Sequence, residues 1–235
     1  MSNRSELTAF HDTVYYHDGE WLNRGAYFEA CTKVQPEYAQ AVLDPDVSGW
    51  EQSIERLSGF AQSAVTYEKG NYGLASEKSQ IHFEVEEFRT YEYFNCPVTP
   101  HVKECNGLGF WAKGDDRTQG MFVELLDDNG SRWCTAITSL SEDWQYFLLT
   151  PKDFRWWRDS VTPSIDAVDF NHLRKVGFGF AQSHVLMSQG RHGLYMSGIE
   201  LLHLEQEVLD SMHTVLLDGI SPEYQQYPIT NAANL

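Results

Sequence analysis

Residues 108–154 read LGFWAKGDDRTQGMFVELLDDNGSRWCTAITSLSEDWQYFLLTPKDF, and this stretch decides the fold. Alternating apolar and polar residues mark a strand over Gly109–Lys113. A turn follows at Gly114-Asp115-Asp116, and a second strand runs from Gly120 to Leu126. Asp127-Asp128-Asn129-Gly130 is a hairpin signal, because Asn-Gly supplies the positive φ angles of a tight turn. A third strand covers Ser131–Ile137 and a fourth Trp144–Leu149. Strands this short, separated by turn chemistry at regular spacing, predict an all-β fold, an antiparallel β-sandwich.

The same grammar extends in both directions. Ser63–Glu68 alternates and Asn71–Gly73 turns. Ser79–Phe88 then places Ile81, Phe83 and Val85 on one face and His82, Glu84 and Glu86 on the other. Thr90–Phe94, Leu173–Gln182 and Leu194–Glu205 complete the set, and Ser188–Gly193 reads as a surface loop. The run Gly177-Phe178-Gly179-Phe180 fits a strand that a neighbour or ligand approaches closely. Residues 1–58 differ in character and form an N-terminal extension of short helices and a hairpin. Pro36–Leu43 reads as a helix with Pro in its first turn, and Ser48–Leu57 as a second helix capped by Ser48. Thr13–Tyr16 and Ala26–Phe28 read as strands around His17-Asp18-Gly19. Residues 59–206 hold the sandwich. Residues 207–235 pass from a helix over Glu207–Leu217 into a stretch without periodicity, a linker to a following catalytic domain or an arm docked on a partner subunit.

Composition narrows the partners. The formal charge is −17. That excludes nucleic acid, which needs Lys/Arg-rich faces to displace counterions, and speaks against anionic membranes and acidic polysaccharides. A neutral glycan suits such a surface. Aromatic residues make up 14 % of the chain, with seven Trp and twelve Tyr, and exposed rings of this kind stack on the apolar faces of sugars. Cys31, Cys96, Cys105 and Cys134 lack metal-ligand spacing. Cys96 and Cys105 flank a short Pro-containing segment, and either close a small loop in an oxidising compartment or stay as half-buried thiols. MSNRSELTAF lacks the basic and apolar regions of a signal peptide. The compartment therefore stays open: extracellular if a leader was removed, otherwise cytoplasmic.

Gly109–Asp115 (GFWAKGD), the hairpin Asp127–Trp133, Trp144–Phe154 and Leu173–Phe180 (LRKVGFGF) also follow one another in a known order. That order resembles the galactose-binding-like, jelly-roll carbohydrate-binding modules attached to glycoside hydrolases. In these modules a "sFWvKGD" strand leads into a "D.dG..W" hairpin, a "W..v.ipL..F" strand and a late "i..iGfgf" strand. The resemblance covers roughly residues 60–205 and implies a jelly-roll fold and non-catalytic glycan binding, ancillary to polysaccharide degradation. It carries no catalytic signature. Such modules often hold a structural Ca²⁺ near the first and last strands, with an acidic pair in the final strand. Here Ser197-Gly198 stand in that place within Leu194–Leu201, so no cofactor is expected; Glu200, Asp44 and Asp46 are the remaining oxygen donors.

The ligand-binding candidates are aromatic residues outside the expected core. Arg155-Trp156-Trp157-Arg158 follows the fourth strand, and in a loop both indoles can be exposed, with flanking guanidiniums donating to sugar hydroxyls. The other role for this tetrapeptide is structural, one Trp plugging the end of the sandwich and an Arg stacked on the other. Tyr67, Tyr72 and Trp133 are further candidates, their other role being inward packing, as is usual for strand aromatics, whereas Trp111 and Trp144 match framework positions.

Two other functions stay in view. A structural or assembly subunit would bury Trp156 and Trp157 against another chain, and the absent leader, the acidic balance and Tyr224 and Tyr227 favour it. An enzyme comes third. Arg4–Leu7 (RSEL) and Gln80–His82 (QIH) resemble two strands of jelly-roll alginate lyases, but the third motif of that family, "YFKaGvYnQ", has no counterpart; Gly193–Met196 does not match it. The nine histidines form no ligand pattern, and Glu86-Glu87 and Asp127-Asp128 are not a facing glycosidase pair.

Overall fold

The computed structural model describes residues 13–17, 20–22, 36, 38–42, 51–54, 65–75, 80–98, 104–138, 140–157, 160–185, 187–206, 209 and 213–216. The strands among them, in chain order, are β1 (Thr13–His17), β2 (Glu20–Leu22), β3 (Tyr38–Ala41), β4 (Glu51–Ile54), β5 (Val65–Gly70), β6 (Gln80–Phe88), β7 (Tyr91–Pro97) and β8 (Gly107–Gly114). They continue with β9 (Met121–Asp127), β10 (Arg132–Ile137), β11 (Gln145–Leu149), β12 (Arg155–Trp156), β13 (Leu173–Ala181), β14 (Gly190–His203) and β15 (His213–Leu216). One sheet has the order β12-β10-β9-β13-β7-β4. The other runs β11-β8-β14-β6-β5, with β3 also paired to β14, and β15-β1-β2 form a small third sheet. All pairings are antiparallel. The expected antiparallel β-sandwich is the observed architecture.

Alternation explains which faces meet. On β6, Ile81, Phe83, Val85 and Phe88 are buried while Glu86 and Glu87 are exposed. Phe83 and Phe110 from one sheet interdigitate with Phe94, Phe178 and Phe180 from the other: ring centroids lie 5.1 Å apart for Phe83–Phe94, 5.6 Å for Phe83–Phe180 and 5.3 Å for Phe110–Phe178. Each ring so enclosed contributes about 2–3 kcal/mol through removal from water. The hairpin turn is held by one carboxylate. Asp127 Oδ1 accepts the N–H groups of Asn129 (3.0 Å) and Ser131 (2.8 Å), Oδ2 accepts Trp133 Nε1–H (3.2 Å), and Gly130 takes φ +91°.

The N-terminal reading needs correction. The segments expected as helices contain strands β3 and β4. Their helix formers (Ala, Gln, Glu, Leu) give a local preference, but β3 meets the open backbone edge of β14 and β4 that of β7, and long-range pairing overrides propensity. The first hairpin closes with β2 at Glu20–Leu22, while Ala26–Phe28 lies outside the described residues. In the tail, His213–Leu216 is strand rather than helix, paired with β1. Cys96, Cys105 and Cys134 are buried and outside any disulfide, so no Cys96–Cys105 bridge closes, and burial pushes all three thiols up from the usual range. Asp44, Asp46 and Cys31 lie outside the described residues.

Candidate functional site

The outer face of the β12-β10-β9-β13-β7-β4 sheet collects side chains by register. One row across it runs Cys134, Glu124, Gly177, Asn95, and the next runs Ala136, Phe122, Gly179, Tyr93. The two glycines allow β7 to lean over β13. A Cβ on Gly177 would sit 2.8 Å from Asn95 Oδ1. One on Gly179, whose φ is +151°, would sit 2.5 Å from Glu92 O and 2.6 Å from Tyr93 Cα. The close approach expected for this run is therefore made by the neighbouring strand.

With Tyr93 drawn across β13, a continuous line of rings forms. Tyr91 meets Tyr93 (6.1 Å), Tyr93 meets Phe122 edge-on (5.0 Å, 79°), Phe122 stacks on His184 (5.1 Å, 23°), and His184 lies against Trp157 (4.7 Å, 35°). The centre of the line is buried and its ends are open: Phe122 and His184 are enclosed, Tyr93 and Trp157 half-buried, and Tyr91 is 37 % exposed. Beside the rings lies an ion pair. Arg132 Nε donates to Glu124 Oε2 at 2.9 Å, its Nη2 donates to the same oxygen, and Nη2 reaches Tyr93 Oη at 3.4 Å. His184 Nδ1 is 2.7 Å from Ser183 Oγ, and its buried Nε2 has no hydrogen-bond partner among the described residues. Burial, together with the Arg132 charge, pushes the His184 imidazole down to about 4, so the ring is neutral near pH 7.

The solved structures share this frame. A family 11 carbohydrate-binding module from Clostridium thermocellum, in complex with a β-1,3-1,4-mixed-linked tetrasaccharide, is 15 % identical with a TM-score of 0.52. The match covers 71 % of this chain and 96 % of that one. A family 11 module of a cellulosomal cellulase from the same organism is 15 % identical with a TM-score of 0.51, covering 72 % and 97 %. The fold is one that carbohydrate-binding modules use. No protein-family model matches the chain, and no curated protein matches it.

On this carbohydrate-binding-module frame the expected site residues separate. Arg155 and Trp156 are an edge strand paired to β10, not a loop. Adjacent residues of a strand face opposite ways. Trp157 reaches the outer face against His184, while Trp156 pairs with Trp133 on the other side, and the two indoles do not form one platform. Trp156 is 37 % exposed, its Nε1 donating to Ser160 Oγ (3.0 Å) and Val161 O (3.1 Å). Arg155 is exposed, and its guanidinium turns back onto the carbonyls of Lys152 and Phe154 at 2.8 and 3.0 Å. Trp133, 2 % exposed, is a core residue with no face open to a sugar. Tyr67, on β5, and Tyr72, just beyond it, belong to the opposite sheet, and Arg158 lies outside the described residues. Gln80 spends its amide on the Tyr72 loop, accepting from Tyr72 N (2.7 Å) and Leu74 N (3.3 Å) and donating to Leu74 O (2.8 Å). Tyr93, Glu124, Arg132 and His184 were missed. Glu124 carried a signal, a charge inside the apolar run MFVELL of a central strand.

Proposed function

We propose that this chain binds a neutral oligo- or polysaccharide, without chemistry, on the outer face of the β12-β10-β9-β13-β7-β4 sheet. The ring line from Tyr91 to Trp157 beside the Arg132–Glu124 pair carries the reading. Half-buried Tyr93 and Trp157 offer apolar faces to sugar C–H groups, and the part-exposed Arg132 guanidinium is at hand as a hydrogen-bond donor. Arg132 is already neutralised by Glu124, and the net charge of −17 disfavours a uronate or sulfate, although exposed Arg155 stands at the rim with only carbonyls as hydrogen-bond partners among the described residues. A role ancillary to polysaccharide degradation, beside a catalytic domain or partner subunit, is part of the proposal. It draws support from the fold shared with a module of a cellulosomal cellulase.

The first ligand to try is the β-1,3-1,4-mixed-linked tetrasaccharide held by a module of the same fold. In isothermal titration, alongside a glycan array, Trp157→Ala and Tyr93→Ala should each weaken binding about ten-fold or more, equivalent to ~1.4 kcal/mol. Silence on every glycan, with a mass that rises with concentration in light scattering, would move the reading to an assembly subunit.

A further inference from the structure

We infer that the outer face of the opposite sheet is a second sugar-binding surface, so that the module grips two neutral glycan segments on its two sides. The inference rests on the glycan-binding reading above and assigns a separate site. Pairing registers place Glu68 beside His82, His82 beside Tyr195 and Tyr195 beside Lys113, one row across β5, β6, β14 and β8. His82 and Tyr195 stack at 4.2 Å with 7° between planes, and Tyr72 meets Tyr195 edge-on at 5.1 Å. Lys113 Nζ lies over the rings of Tyr195 (4.9 Å) and Trp144 (5.4 Å) and joins the indole to the row. All of these side chains from His82 onward are half-buried rather than enclosed.

The platform is pre-set rather than incidental. Buried Gln80 fixes the Tyr72 loop through three hydrogen bonds, and Trp144 Nε1 donates to Tyr72 O at 3.1 Å, tying the indole to that loop. Rings held this way lose little conformational freedom when a ligand stacks on them. Gly193 lets two polar side chains close over the strand: the point where its Cβ would stand is 2.9 Å from Asp115 Oδ2 and 3.1 Å from His82 Nε2. Burial holds His82 below the ordinary imidazole range, leaving it neutral at pH 7.

Charge selects the ligand class. Among the described residues, Arg191 Nη2 sits on Glu84 at 2.6 Å and Lys113 lies over two rings, while Glu68, Glu84 and Asp115 surround Tyr195 with carboxylates. A polyanion would meet these three carboxylates at close range. A neutral sugar finds a row of half-buried aromatic side chains with hydrogen-bonding groups beside them.

The test reads both faces at once. The indole N–H signals of the seven tryptophans are followed by NMR during titration with the mixed-linked tetrasaccharide and, in turn, each glycan scored on the array. Trp144→Phe and Trp157→Phe assign the two informative peaks, and calorimetry supplies the stoichiometry. We expect both peaks to move and two sugars to bind per chain. Tyr195→Ala should leave one sugar and an unmoved Trp144 peak, and Trp157→Ala the converse. Movement of Trp157 alone, with one sugar bound, overturns the second surface and keeps the first. Movement of Trp144 alone removes the first reading and keeps the second. Stillness of both peaks with every glycan removes both. A Trp144 peak that responds to protein concentration without sugar assigns the face to self-association and overturns the inference.

Discussion

The two outer faces carry similar side chains but anchor them differently. On the β9–β10–β13–β7 side the rings are sunk into the fold: Phe122 belongs to a buried cluster with Ala136, Ala181 and Val185, and Tyr93 packs against it. The ion pair there has Glu124 only 6 % and Arg132 32 % exposed. On the β6–β14–β8 side the rings lie on the sheet, and the pair is Arg191, 63 % exposed, with Glu84 at 20 %. Recognition and folding should therefore be coupled on the first face and separable on the second.

The largest effect that sharpens this contrast comes from two glycines. Gly179→Ala forces a methyl against the Glu92 carbonyl and the Tyr93 backbone at a strained φ, so urea denaturation should show a loss of about 3 kcal/mol or more. Gly193→Ala meets only the ends of the Asp115 and His82 side chains, which can turn aside, and should cost ~1 kcal/mol or less. Equal losses would break the contrast.

Next come the ion pairs. Glu124→Ala strands a half-buried guanidinium and should destabilise by about 3 kcal/mol, whereas Glu84→Ala, at an exposed pair, should stay within ~0.5 kcal/mol. Thermal melts of both variants at one pH decide it.

The smallest effect near neutral pH is protonation. An unfolded histidine takes its proton near pH 6.5, while folded His184 resists until about 4. As pH falls through that window the unfolded state gains the proton first. Stability from this group should therefore decline between 6.5 and 4, by up to about 3 kcal/mol, and change no further below. His184→Phe, which keeps a ring between Phe122 and Trp157, should flatten this part of the stability–pH curve. An unchanged slope would show that His184 does not set it.

The sandwich was legible because its strands announce themselves locally, through alternation in SQIHFEVEEF and the Asn129-Gly130 turn. β3 and β4 were not, since what makes them strands is the vacant edge of β14 or β7, far away in sequence. The candidate site divides the same way. Trp157 could be singled out from its own neighbourhood. Tyr93, Glu124, Arg132 and His184 form a site only because β7, β9, β10 and the loop after β13 converge, and no local pattern encodes that. Trp133 shows the converse: an indole just past a hairpin turn looks available until Asp127 is seen to claim its N–H in the core.

The 14 residues of β14 share one edge between β6, along Gly190–Ser197, and β3, along Glu200–His203. A chain trimmed at residue 59, where the composition changes, would lose β3 and β4 together. It would bare a stretch of peptide edge on each sheet, one on β14 and one on β7. Open edges recruit other chains. The segment that looks like a dispensable preamble thus puts a strand of only four residues, β3 or β4, over an edge of each sheet, and solubility is what its removal would forfeit first.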